Sequence, residues 1–463
     1  MTATSIHHGS IFSADSETAF RFIDDGALAI GDDGRIIEVG AFTDISARFP
    51  SAGVTDWDSA AILPGLVDAH SHIPQYSSVA MDGYELLPWL ERFIYPAEAA
   101  FADAQHAFDR SKHFFQAALA RGTTAASLYA TVHEEATRQA FRAAEESGIR
   151  AFIGKVMMDQ NAPSDLLEDT RESLAASARL CEEWHGAADG RLGYVFSPRF
   201  AVTCSNALLS EVAALAEACG ALIQTHLAEN ATELQTVAKL FPGARSYTDV
   251  YADAGLLGPR TIVAHCLYLS PREWDLLADT NTRIAHCPSS NFFLSSGIMD
   301  LHEALKRDIV VGLGSDVGAG PTLSMFAEMS QACFASRARS AMAKATAARI
   351  EALREDFVDL DGGEDLHAKA VEQLELADPD CLVSPAHALY MATLAGAETL
   401  GLRDQIGSFE PGKWADFVVV DLRQVDPYFG QEERAADEIL SQIVFRTAPH
   451  AVAATYVAGD RRA

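Results

Sequence analysis

Basic residues are scarce in this chain. Lys and Arg number 35 among 463 residues, against 65 Asp and Glu, which leaves a formal net charge of −30. A strongly acidic surface repels a phosphate backbone, so nucleic acid is excluded as a partner, whereas a free base, which carries no phosphate, is not. Long apolar runs are missing too. None reaches the ~18 residues that span a bilayer, and no membrane partner is expected. The opening MTATSIHHGSIFSADSE has neither the basic start nor the apolar centre of a secretory signal. Cysteines are few, seven in all, odd in number and without a CxxC pair. That reads as reduced thiols in a cytoplasmic protein rather than a disulfide frame. No short solenoid repeat recurs along the chain.

What is present is a composition able to form a large core, 49% hydrophobic, arranged as apolar strands alternating with amphipathic helices. The strands are expected at Ile62–His70, Thr123–Ala130, Arg150–Asp159, Leu192–Phe200, Ala221–Ala228, Thr261–Leu267, Arg283–Cys287 and Ile309–Gly314. Helices are expected between them, among them His106–Arg121, Glu134–Glu146, Leu166–Trp184, Leu208–Cys219 and Arg272–Ala278. Eight such units predict an α/β fold, a parallel (β/α)8 TIM barrel, over 61–400. The ends differ: GDDGRIIEVG (31–40), IGSFEPGKWADFVVVDL (406–422) and the closing AVAATYVAGDRRA (451–463) carry short strand signals broken by turns. Residues 1–60 and 401–463 are therefore expected to pair into one small β-sandwich domain. The stretch 341–379, a strong helix former followed by an acid-rich loop, reads as a solvated excursion.

Chemistry-bearing residues gather at the expected strand ends. His70 and His72 close the run ILPGLVDAH, and positions two apart on a strand face the same way, so two imidazoles can converge on one metal. His226, with Glu229 three residues on, follows the fifth strand, His265 the sixth and Asp316 the eighth. Each alone is more often structural. Together they lie on the face where barrels carry active sites. Neutral imidazoles with a carboxylate suit zinc, leaving one position for a water whose pKa the metal lowers toward ~7. Glu229, free of the metal, is the candidate to take and pass on that proton, and His265 is either a ligand or a polariser of the attacking water. His286, ending the seventh strand, reads as a satisfied histidine capping the loop, with a supporting role behind the site as the alternative.

PGLVDAHSH (64–72) resembles the entry motif of the amidohydrolase superfamily, whose other positions His226, His265 and Asp316 match in the same order. GSFEPGKWADFVVVD (407–421) is similar to the family's closing β-sandwich segment, so the resemblance covers nearly the whole chain. Within the superfamily, HSHIPQYS (70–77), LPWLERFIYPAE (87–98), RAFIGKVMMD (150–159), SPRFAVTCS (197–205), HLAEN (226–230) and AHCPSSNFFLSSG (285–297) are similar to the guanine deaminases. The resemblance implies one zinc per chain held by His70, His72, His226 and Asp316, although iron accepts the same ligands. It implies that Glu229 shuttles protons, that His265 faces the attacking water, and that Gln75, Arg199 and Phe200 contact a purine base. Arg199 can donate to a ring carbonyl, Gln75 can donate and accept, and Phe200 can pack on the ring. Hydroxide attack at the ring carbon bearing the amine, with Glu229 protonating a ring nitrogen and then the departing ammonia, would turn guanine into xanthine. A homodimer is expected from the resemblance and from base rates.

Two absences narrow this expectation. Two-metal superfamily members carry a bridging lysine at the end of the fourth strand, but here that strand ends in FSPRF. Lys155, on the third strand, reads as structural or as a support behind the site residues. The other zinc deaminase design needs PCxxC, which does not occur. The competing readings are a deaminase for a related ring (8-oxoguanine, a pterin, a triazine or a nucleoside-type substrate) and a non-catalytic barrel scaffold, which would be expected to lose metal ligands.

Overall fold

A computed structural model describes residues 3–82, 85–352 and 382–463. The chain begins in the smaller of two sheets. Strands β1 (Ala3–Ala14), β2 (Phe20–Gly31), β3 (Ile36–Ala41) and β4 (Gly53–Pro64) come from the N-terminal side. They join three strands from the C-terminal side to give a seven-stranded sheet. Its join is central: β4 pairs parallel with β1 and antiparallel with Phe417–Asp421, with Phe417 opposite Pro64 and Val419 opposite Ile62. Both chain ends thus close one sheet, with Ile11, Leu28, Ile62, Phe417 and Val419 sharing one buried cluster.

The barrel is made of β5 (Leu66–His72), β6 (Thr123–Tyr129), β7 (Arg150–Gly154), β8 (Val156–Met157), β9 (Leu192–Pro198), β10 (Leu222–Leu227), β11 (Thr261–His265), β12 (Arg283–His286) and β13 (Val311–Leu313). All its pairings are parallel, in the order β13-β12-β11-β10-β9-β7-β6-β5, with β8 paired to β9. The eight strands β5, β6, β7 and β9 to β13 answer to the eight read from the sequence. The ring is drawn together between β13 and β5 by backbone bonds beyond the strand end: Asp316 N donates to His70 O at 2.8 Å, and His72 N to Val317 O at 2.9 Å. Gly314 permits that approach, because a Cβ there would stand 2.8 Å from His70 Cβ and 2.9 Å from Cys287 Sγ.

Three expected elements differ. The run Ile62–His70 is two strands, divided at Gly65: its first part belongs to the small sheet and its second to the barrel. A side chain at Gly65 would collide with Thr124, at 2.1 Å from Oγ1, so the chain can turn there only as glycine. The expected strand Arg150–Asp159 is interrupted at Lys155. The buried Lys155 ammonium turns to Glu168 Oε1 at 2.5 Å, Ser173 Oγ at 3.1 Å and the Val156 carbonyl at 3.1 Å, which fulfils the structural reading of this lysine. The same carboxylate explains the third difference. The helix expected from Leu166 starts at Thr170. Asp169 caps it by accepting from Arg171 N and Glu172 N, while Glu168 is drawn inward to the lysine.

Of the excursion expected at 341–379, residues 341–352 complete the helix Met325–Ala352; the rest lies outside the described residues. Among the described residues, no helix is long and apolar enough to cross a membrane.

Candidate active site and metal centre

The C-terminal ends of the barrel strands converge on a buried cluster. In β5 the pairing with β6 breaks register between Asp68 and Ser71, and such an irregularity re-aims the side chains beyond it. His70 and His72 follow, both buried. Asp68, beneath them, accepts from Ser315 N at 2.8 Å and fixes the loop that carries Asp316. That loop is backbone-strained, with Asp316 at φ 44°, as are Ala228 at φ 53° and His265 at φ 74° on the neighbouring strand ends. Left-handed backbone at non-glycine residues is costly and concentrates at functional sites.

One ligand atom from each of His70, His72, His226 and Asp316 lies within 4.8 Å of the other three. Asp316 Oδ1 is 3.2 Å from His70 Nε2 and 3.3 Å from His72 Nε2. The other Asp316 oxygen accepts from Ser290 Oγ at 2.6 Å. His226 Nδ1 lies 2.6 Å from the Arg199 carbonyl. A carbonyl only accepts, so Nδ1 carries the proton and Nε2 presents its lone pair. That lone pair meets His72 Nε2 at 3.3 Å. Burial lowers the His72 pKa to about 3 and takes His226 well below the ordinary histidine value, so both rings are neutral. His70 Nε2, also buried, has no hydrogen-bond partner despite its neighbours. Three imidazoles converging on one carboxylate, with His70 Nε2 left unpaired, are the chemistry of a cation cage, and the N3O donor set fits zinc.

Glu229, His265 and Asp316 form a second convergent group overlapping the first. Glu229 Oε2 is 3.5 Å from His265 Nε2. Burial, then the nearby charges of Asp316 and Glu233, push the Glu229 carboxyl well above the usual carboxylate range. His265 is oriented from behind by Asn291 Oδ1, 2.9 Å from its Nδ1. Glu229 is held through its backbone: Glu233 Oε2 accepts from Glu229 N at 2.8 Å and Asn230 N at 3.1 Å, while Tyr247 Oη donates to the other Glu233 oxygen at 2.7 Å. HLAEN is thus a strand end running into the capping box of the helix Ala231–Leu240.

The cluster borders a pocket lined by His72, His226, Glu229 and Asp316 together with Gln75, Arg199, Phe200, Leu86, Trp89 and Leu90. The residues expected from sequence at the metal and at the ring all border this one space, except His70 and His265, which pack directly behind it. His286 is buried outside both convergent groups, with its pKa lowered to about 3 by burial. Sequence reasoning gave no role to Glu98, Asn291, Ser290 or Glu233. Glu98 is fully buried, pairs with Arg199 Nη1 at 2.7 and 2.5 Å, and accepts from Gln75 Nε2 at 3.1 Å. One of two carboxylates in an aromatic-rich helical run, LPWLERFIYPAE, was the available signal.

A family profile described as amidohydrolase family matches residues 61–354 and 360–462. The chain belongs to the amidohydrolase family. Among relatives within that family, the guanine deaminase of Escherichia coli K12 is 36% identical over 406 residues, 87% of this chain and 83% of its own length. A crystal structure of guanine deaminase from C. acetobutylicum with guanine bound in its active site superposes with a TM-score of 0.85 at 29% identity, covering 99% of each chain. A zinc-bound adenosine deaminase from Xanthomonas campestris gives 0.80 at 25% identity, covering 99% of this chain and 93% of its own. As an amidohydrolase the chain is a hydrolase, and its fold is the one these solved structures share.

Proposed function

We propose that this amidohydrolase deaminates guanine hydrolytically to xanthine and ammonia, with one zinc ion held by His70, His72, His226 and Asp316. A single observation carries the reading: one pocket joins the His/Asp cage to a wall offering a guanidinium, an amide and an aromatic ring. Guanine matches that wall with a carbonyl, ring nitrogens that donate and accept, and a flat apolar face. Relatives named guanine deaminase, one of them with guanine in its active site, support the substrate.

Zinc in this set supplies Lewis-acid activation of a water at neutral pH. The chain's own groups do the rest. Arg199 remains charged in the buried wall: burial would lower its pKa, but the Glu98 carboxylate raises it. It donates to the ring carbonyl while Gln75 reads the adjoining edge and Phe200 lies against the ring. Glu229, with an affinity for protons raised by burial, accepts the proton of the attacking water. It delivers that proton to a ring nitrogen and then moves one to the departing amine. His265, its ring fixed by Asn291, faces the attacking water beside Glu229 and supports the developing charge.

Purified zinc-loaded protein assayed on guanine and on 8-oxoguanine, by ammonia release and ultraviolet change, tests the reading. Rapid conversion of guanine to xanthine is expected. A zinc-replete protein that leaves guanine untouched would move the substrate to another ring of the same family.

A further inference from the structure

Glu98 lies on the helical turn Tyr95–Ala99, outside both metal-binding groups, and has no part in the proton transfers. It is nonetheless one of the most deeply buried charges in the molecule, with no exposed surface. Burying a carboxylate is expensive unless it is fully paired. Its two partners are both pocket residues: Arg199, 101 positions away, and Gln75, 23 positions away.

The chemistry at Gln75 is determined by what its neighbours cannot do. The Gly318 backbone N–H can only donate, and it reaches Gln75 Oε1 at 3.2 Å. Glu98, both of whose oxygens accept from Arg199 Nη1, accepts here too: Gln75 Nε2 donates to it at 3.1 Å. The amide therefore has one permitted orientation, although an isolated glutamine could present either end. Arg199 is constrained in the same way. Both Glu98 oxygens take Nη1, which anchors that corner of the guanidinium and leaves Nε and Nη2 uncommitted to the carboxylate.

We propose that Glu98 is a specificity-determining positioning residue: by holding the Gln75 amide in one donor–acceptor order and anchoring the Arg199 guanidinium, which only donates, it makes the pocket accept a purine with a carbonyl on that edge and reject the same ring with an amine. The inference rests on the purine reading of the site and extends it from a substrate to a selection rule. A fixed N–H facing a carbonyl makes a bond, whereas facing an amine it leaves two donors opposed. A buried site built to pair one group discriminates strongly against its replacement. With Gln at position 98 the constraint from the carboxylate is gone, because a neutral amide both accepts and donates, and only the longer 3.2 Å bond from Gly318 N then holds the order of the Gln75 amide.

The test is Glu98→Gln in the full-length, zinc-loaded protein, read by guanine kinetics and by competitive inhibition with hypoxanthine, which carries the carbonyl, and adenine, which carries the amine. The expected result is unchanged zinc content and a higher KM for guanine with a smaller change in kcat. The ratio of the adenine to the hypoxanthine inhibition constant should fall by about tenfold or more. Equal weakening toward both inhibitors would mark Glu98 as a packing residue and overturn the proposal, as would unchanged kinetics. Should Glu98→Gln not yield folded protein, Arg199→Lys keeps a charge for Glu98 while removing the planar fork. It should shrink the same ratio, and an unchanged ratio would again overturn the proposal. Wild-type protein that holds zinc and ignores guanine would refute the functional reading itself, a result separate from any outcome with the variants.

Discussion

The two walls of the pocket are built on different principles. The cage wall grows from strand ends: His70 and His72 close β5, His226 lies on β10, His265 ends β11, and Asp316 follows β13. Each side chain stands at or just beyond the end of a parallel strand. On the ring wall only Arg199 has such a frame, its N donating to Met157 O and its carbonyl accepting from His226 N. Gln75 lies in a 3-10 turn, Glu98 in a helical segment of five residues and Arg199 just beyond β9, and a buried ion pair binds them together. The cage is thus positioned mainly by backbone, and the proposed recognition edge leans more on side chains. Amidohydrolase chemistry can stay constant while the ring it reads changes, because altering the second wall need not disturb the first.

The largest effect should come from breaking the cage. Asp316→Ala removes the only carboxylate of the group and the acceptor for Ser290 Oγ. Zinc binding and turnover should both be lost, while the recognition wall, held by Glu98, stays intact. Metal analysis of purified protein checks this, and full occupancy would place the fourth ligand elsewhere. Next comes a change that spares the cage. Glu229→Gln keeps the backbone bonds to Glu233 and adds no bulk, so zinc should remain while kcat falls by roughly 10²–10⁴-fold, the usual worth of a positioned acid–base group. A variant with full activity would remove Glu229 as the proton carrier. The pair separates the two duties within one wall: holding the ion and moving the proton.

The same division governs what could be read from sequence. Strand-end residues follow from periodicity, since an apolar run of known length predicts where its last side chains emerge and which of them share a face. That is why His70, His72, His226 and Asp316 are legible and come together in space. The strand count was legible too, but the junction at Gly65 was not. An apolar run continuing from one sheet into another has no break in hydrophobicity, only a glycine whose contact with Thr124 is a tertiary fact. Gln75, Arg199 and Phe200 were found through family resemblance rather than pattern. Glu98 escaped because nothing local marks it: its partners are 23 and 101 residues distant, and a single Glu on an amphipathic segment ordinarily faces water. Asn291 and Ser290 were hidden likewise. They lie in the short helix Pro288–Phe293 and act only on residues from other strands.

Ser290 offers the finest test of whether the cage wall is set by backbone alone. Its hydroxyl donates to Asp316 Oδ2 at 2.6 Å, while Oδ1 faces His70 and His72. That bond gives the two carboxylate oxygens different jobs and holds the side chain against rotation. Ser290→Ala leaves the Asp316 N to His70 O bond and the whole strand frame untouched, so the fold should be unaffected. Zinc affinity should nevertheless fall by about 10–100-fold, the usual loss when the group orienting a metal ligand is removed, and the KM for guanine should change little. Competition with a chelator measures the first and steady-state kinetics the second. If zinc affinity is unchanged, the strand ends and the Asp316 backbone suffice to aim the carboxylate. If it falls as expected, the cage shares with the recognition wall a dependence on one side chain holding another, and the two walls differ in degree rather than in kind.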